Sequence, residues 1–199
     1  MKPNVIDISH HNTVNDFAAL KAAGVLGVIH KCTQGANYSD PMYAERRKLA
    51  TDAGLLWGAY TFNTGEPVVL QVKNFIAHAE PDSRTLMCLD FEDNPASQMS
   101  LGQCRQFLTS FNSSFGRKAV LYSGNRIKDL MGAQIDHWLG SHRLWVPQYG
   151  PAAKTQSSWA GNWWLWQYSE SGRLPGTDGA IDLNYYPKTP DKLAAEWAD

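Results

Sequence analysis

Residues 26–62, LGVIHKCTQGANYSDPMYAERRKLATDAGLLWGAYTF, carry the pattern that decides the fold. The stretch begins and ends in short apolar runs, 26–30 and 55–62, with the length and content of buried strands. Between them Pro41 opens PMYAERRKLATDAG and Gly54 closes it, the proline-first, glycine-last signature of a helix. Two strands separated by a helix of that length run parallel, because a parallel pair needs a long crossover. Further strands are expected on either side at 5–8, 86–91, 119–122, 144–146, 163–166 and 180–183. DFAALKAAG, with Phe17 and Leu20 three apart and Gly24 as a stop, predicts a helix after the first strand. Two more are predicted at 67–79 and 100–115, the latter with Gln103 three residues after Ser100 as a capping box. Residues 149–162 and 169–179 are rich in Gly, Pro and Ser without apolar periodicity and read as loops. The expectation is α/β: a modified TIM-like (β/α) barrel of eight strands with reduced helices in the C-terminal third. No linker or repeat divides 1–199, which reads as one domain at the lower end of the size range for that fold.

The chain has 199 residues, 18 Lys+Arg against 19 Asp+Glu and a formal charge of -1. That balance predicts no nucleic-acid partner, since phosphate binding calls for a basic face. No apolar run reaches the ~20 residues of a membrane helix, so no membrane insertion is expected. The run 5–8 is interrupted by Asp7 and is too short for a secretory signal. The three cysteines, Cys32, Cys88 and Cys104, are odd in number and widely spaced, which predicts free thiols rather than a zinc or dithiol site. The unusual quantity is aromatic: 12% of residues, with 8 Trp.

The chemically informative feature is where the carboxylates fall. Asp7 sits in VIDIS, Asp90 and Glu92 in LMCLDFEDN, and Asp182 in AIDLNYY. Each interrupts an apolar run of the kind a parallel sheet buries, where an ionised carboxylate costs several kcal/mol unless paired or solvated. Residues i and i+2 of a strand share a face, which sets the Asp90 and Glu92 Cα atoms roughly 6.6 Å apart on one side. Such a pair suits glycosidic cleavage, one carboxyl giving a proton to the leaving oxygen while the other stabilises positive charge on the sugar. The same four acids also fit a hard-cation site for Mg²⁺ or Ca²⁺, or a structural network.

At these residues the sequence resembles the glycoside hydrolase family 25 lysozymes, the N,O-diacetylmuramidases. VIDISHHN, KCTQGANYSDPMY, GAYTF, LDFED, VLYSG, LWVPQYG, WWLWQYSESGRLPG and IDLNYY follow in the family's order over nearly the whole chain. The resemblance implies a barrel with fewer outer helices and hydrolysis of the β-1,4 bond between N-acetylmuramic acid and N-acetylglucosamine in peptidoglycan, without a metal or other cofactor. It implies Glu92 as general acid/base and Asp90 as the carboxylate that orients and stabilises an intermediate formed by the sugar's 2-acetamido group. Asp7 and Asp182 match two further acids of the cleft floor. Neighbouring-group participation and direct water attack both stay open. The sequence departs from the family at Thr61, where His is common, and in PAAKTQSSWAGN, which is not family-typical. A chitinase-like barrel would carry another Asp where Cys88 stands; a catalytically silent sugar-binding barrel would have no use for a buried proton donor. A monomer is expected, held in the cytoplasm until a holin-type pore releases it or exported by a dedicated machine.

Six of the eight Trp lie between Trp138 and Trp166. Sugar faces stack on aromatics, so Tyr60, Phe62, Tyr122, Trp145, Tyr149 and Gln167 are sugar-contact candidates. Trp57, Trp163 and Trp164 are assigned to the core, and alternation is expected to turn Trp164 and Trp166 one way and Trp163 the other. Asn184, two residues after Asp182, is expected to orient it and to contact substrate. Lys31 and Gln34 are expected at the cleft rim, His10 and His11 in outer hydrogen bonding, and the ERRK run at 45–48 on a solvated face.

Overall fold

A computed structural model of the chain describes residue 2 and residues 4–199. Residues 1 and 3, the start of the segment read for a secretory signal, lie outside the described residues. Seven strands follow one another in parallel register: β1 Val5–Ile8, β2 Gly27–Gln34, β3 Leu56–Phe62, β4 Leu86–Asp90, β5 Val120–Tyr122, β6 Leu144–Pro147 and β7 Leu165–Gly172. The eighth, β8 Ile181–Tyr185, slots between β7 and β1 antiparallel to both, and the β1–β2 pairing closes the barrel. The reversal follows from the connection. Only residues 173–180 join β7 to β8, too few for a crossover, so the chain turns back as a hairpin. Its consequence is functional: β8 starts at the rim where the parallel strands end, and Asp182 lands directly opposite Asp7.

The predicted helices stand where the pattern places them: α1 Phe17–Ala22, α2 Tyr43–Asp52, α3 Val68–Ala79 and α4 Leu101–Phe115. Gly24 and Gly54 follow α1 and α2 with φ of +100° and +76°, the left-handed conformation that glycine adopts without penalty. Ser100 and Gln103 form the predicted capping box on α4. Three short helices were not legible: α5 Asn125–Met131, α6 His137–Gly140 and α7 Pro190–Glu196. Each spans two turns or fewer, too little for a 3.6-residue period to show; α1 is as short but is marked by the Phe17–Leu20 spacing and the stop at Gly24. The link between β6 and β7 has no α-helix, only a 3₁₀ turn at Ser157–Trp159. The predicted loop at 169–179 is corrected at its start, because β7 runs on to Gly172. No helix among the described residues is long and apolar enough to cross a membrane.

Alternation along β4 builds two cores. Met87 and Leu89 pack outward with Phe75, Phe107 and Phe111 under the helices, while Leu86 and Cys88 fill the barrel interior with Val120 and Trp145. The interior face of β4 therefore reads Leu86, Cys88, Asp90 from floor to mouth. Trp197 plugs the floor, its Nε1 donating to the Trp57 carbonyl at 2.7 Å. It lies so close to Gly27 that a Cβ there would sit 2.6 Å from the indole. The three cysteines are free and buried. The predicted pairing of Trp164 with Trp166 is corrected: Trp164 belongs to the interior, whereas Trp166 packs in the outer layer against Trp163. The strand begins only at Leu165, so alternation does not extend back to Trp164.

Candidate active site

The C-terminal rim of the barrel opens into a cleft of about 240 Å³. Asp7, Asp90, Glu92 and Asp182 all line it, together with Tyr60, Tyr122, Trp145, Tyr149 and Gln167. Asp90 is the last residue of β4 and is 7% exposed; its Oδ1 has no hydrogen-bond partner among the described residues. Burial first, then the neighbouring Glu92 and Asp7 charges, push its carboxyl well above the usual range. Glu92 lies two residues on, and its peptide is pinned from both sides. Asn63 Nδ2 donates to the Glu92 carbonyl at 3.0 Å, and Ser123 Oγ to the Phe91 carbonyl at 2.6 Å. Burial raises the Glu92 carboxyl too, reinforced by Asp93 and Asp182 and opposed by the Lys31 ammonium.

Asp7 is the most thoroughly bonded of the four. Gln167 Nε2 donates to its two oxygens at 3.0 and 3.1 Å, and Asn184 Nδ2 to Oδ1 at 2.7 Å. These donors are themselves oriented. Tyr122 and Tyr149 hydroxyls donate to Gln167 Oε1 at 3.0 and 3.3 Å, and Trp145 Nε1 donates to Asn184 Oδ1 at 2.7 Å. Burial raises Asp7, and these donors pull it back. Asp182 is pushed up to about 8 by burial and by facing Asp7, so the cross-strand pair shares a proton.

The sign of that shift gives a testable result. A carboxyl whose folded value lies above its ordinary 3.8 binds more protons folded than unfolded. The contribution of Asp182 to wild-type stability therefore falls as pH climbs from about 4 to about 8. Asp182→Asn removes the penalty, so its thermal midpoint should exceed wild type above about pH 8 and match it below about pH 4. Equal midpoints across the whole range would contradict the shared-proton pair.

Two predicted contact residues sit elsewhere. Phe62 is not in the cleft wall; its ring lies 5.1 Å beneath Lys31 Nζ. Asn184 is fully buried, so substrate cannot reach it, and it bonds Asp7 rather than Asp182. Asp182 and Asn184 do share the interior face, but Asn184 pairs with Val5, one step deeper than the Asp7–Asp182 pair, so its amide reaches Asp7 from below. Trp145 lines the cleft but is 1% exposed, so it supports the floor more than it presents a stacking surface. Lys31 is the rim cation, its Nζ donating to Gln34 Oε1 at 2.7 Å. Thr61 is buried, accepts a hydrogen bond from Thr33 Oγ1 at 2.8 Å and does not line the cleft. His10 Nδ1 lies 2.8 Å from Asp40 Oδ2, an outer hydrogen bond as expected.

The residue that sequence reasoning missed is Glu170, a fifth carboxylate in the cleft wall. Strict alternation from Gln167 would turn it away, but the pairing of β7 with β8 is irregular on either side of Leu183. Among the described residues no group of three or more His, Cys, Asp or Glu is arranged to hold a metal ion.

Five carboxylates around one small polar cavity, at least one of them protonated near neutrality, match acid-assisted cleavage with charge stabilisation. The sequence model for glycosyl hydrolases family 25 matches residues 6–177. The chain belongs to this family. It is 28% identical over 204 residues to Lysozyme M1 of Streptomyces globisporus, covering 96% of this chain and 69% of that protein. It is 27% identical to the autolytic lysozyme of Clostridium acetobutylicum, covering 91% of this chain and 55% of that protein. In structure it superposes on the bacterial lysozyme of Streptomyces coelicolor with a TM-score of 0.87 at 27% identity, covering 97% and 95% of the two chains. The barrel with reduced helices is thus the family 25 barrel, and the enzyme class is glycoside hydrolase.

Proposed function

We propose that this family 25 hydrolase is a muramidase (lysozyme activity, EC 3.2.1.17), cutting the β-1,4 bond between N-acetylmuramic acid and N-acetylglucosamine in peptidoglycan. The observation that carries the reading is the Asp90–Glu92 pair at the barrel mouth, Asp90 buried and Glu92 half-buried, beside Asp7 and Asp182. Its relatives' names as lysozymes support the choice of substrate.

The pair binds its proton as a unit. In the free protein burial favours the proton on Asp90, the deeper of the two. Positive charge growing on the anomeric carbon beside Asp90 draws that group into its ionised form and leaves the proton on Glu92. Glu92 then protonates the glycosidic oxygen as the C1–O bond breaks. Asp90 stabilises the oxocarbenium-like carbon, or the ring that forms when the 2-acetamido oxygen attacks it. Water then adds at C1 and returns a proton to Glu92, so the enzyme ends as it began. Asp7, locked by Gln167 and Asn184, and Asp182 opposite it keep the field at the cleft floor negative.

Purified protein incubated with peptidoglycan and, separately, with chitin tests the substrate class. Soluble fragments from peptidoglycan alone are expected. Release from chitin would favour a chitinase-like enzyme, and binding without release from either would favour a silent sugar-binding barrel.

A further inference from the structure

The groove does not end at the carboxylates. Beyond Glu92 it widens into a second cavity of about 440 Å³, walled by Gly124, Asn125 and Arg126 on one side and Pro147 and Gln148 on the other. The two cavities share Glu92, Tyr122 and Tyr149. Their charges differ. Besides the shared Glu92, the first holds Asp7, Asp90, Asp182 and Glu170, whereas the second holds only Asp93 and sets Arg126 against it, with Lys128 donating to Gln148 Oε1 at 3.0 Å.

Arg126 is held in place with donors to spare. Its guanidinium lies 5.8 Å from the Phe91 ring, and Nη2 donates to the Met99 carbonyl at 3.1 Å. Nε is buried without a partner among the described residues, and Nη1 carries only the contact with Asp93. The contact with Asp93 is long, 3.5 Å, and the Asp93 side chain is 60% exposed. Such a pair is worth little in water, so an incoming anion can displace it.

We propose that this second cavity takes the leaving-group half of the glycan and that Arg126 there binds a carboxylate carried by that half. The inference rests on the muramidase reading. The sugar that becomes cationic belongs among the acids, in the first cavity. Glu92 must touch the oxygen between the two halves, and it is the acid both cavities share, so the departing half extends past it. That half begins with N-acetylglucosamine and continues into an N-acetylmuramic acid whose lactyl group ends in a carboxylate, free or extended by a peptide. A cavity of this size lies within the range of sugar-sized sites. Arginine supplies a permanent charge, and its Nη1, engaged only by Asp93, can donate to a carboxylate.

Binding of two disaccharides tests this without turnover: N-acetylglucosaminyl-N-acetylmuramic acid, and the same compound with its lactyl carboxyl converted to the neutral methylamide. Calorimetric titration should show wild type preferring the acid by about tenfold, the worth of one charge-assisted hydrogen bond. Arg126→Met should bind both forms alike, at the wild-type affinity for the amide, and Arg126→Lys should keep part of the preference. Asp93→Asn alters an exposed side chain and should strengthen binding of the acid alone, which guards against a folding defect in the Arg126 variants. Equal wild-type affinity for the two forms, no binding of either, or loss of both in folded Arg126→Met would overturn the proposal. Failure of the muramidase reading appears separately, as intact peptidoglycan after incubation with wild type.

Discussion

Glu92→Gln is expected to lower cell-wall lysis by about 10³-fold, within the usual range for removing a general acid. Glutamine keeps the size of the side chain and can accept the same contacts but has no proton to give. The Glu92 peptide is held by Asn63 and by Ser123 through Phe91, none of which depends on the side-chain carboxyl. The variant should therefore fold as wild type and still bind glycan. Near wild-type lysis by Glu92→Gln, measured as clearing of a peptidoglycan suspension, would remove Glu92 from the chemistry.

Asp90→Asn is expected to cost about 10²-fold to 10³-fold in kcat with little change in KM, as for loss of charge stabilisation confined to the transition state. Asp90 is 7% exposed with an unpartnered oxygen, an arrangement that folding alone disfavours. Replacing it by a neutral amide relieves the burial of a carboxylate, so the same variant should unfold at a higher temperature than wild type at alkaline pH. The sign follows from its raised value: ionisation costs the folded state, and that cost grows as pH rises. A residue with a purely structural role would lose stability together with activity. Gain of one with loss of the other is the signature of a group kept for function.

The barrel and its acids were legible for the same reason. Polar groups inside apolar strands cost free energy, so Asp7, Asp90 and Asp182 stood out from the runs around them, and each lines the cleft. The i, i+2 rule brought Glu92 to the same side as Asp90. What the pattern missed depends on register and on partners distant in sequence. β8 is antiparallel because of a short connection, and its irregular pairing with β7 turns Glu170 toward the cleft. Strict alternation carries no signal for such a slip. Trp164 and Trp166 separated because their strand starts two residues later than the apolar run. The aromatic excess divides accordingly. Tyr60, Tyr122 and Tyr149 face the cleft, while Trp57, Trp145, Trp164 and Trp197 are buried in the two cores or beneath the floor.

The central claim is which bond is cut, and the chemical identity of the newly exposed reducing end reads it most directly. Peptidoglycan digested with the purified protein, reduced with borohydride and analysed by mass spectrometry should yield fragments ending in muramitol. Fragments ending in reduced N-acetylglucosamine, or no new reducing ends at all, would contradict the account.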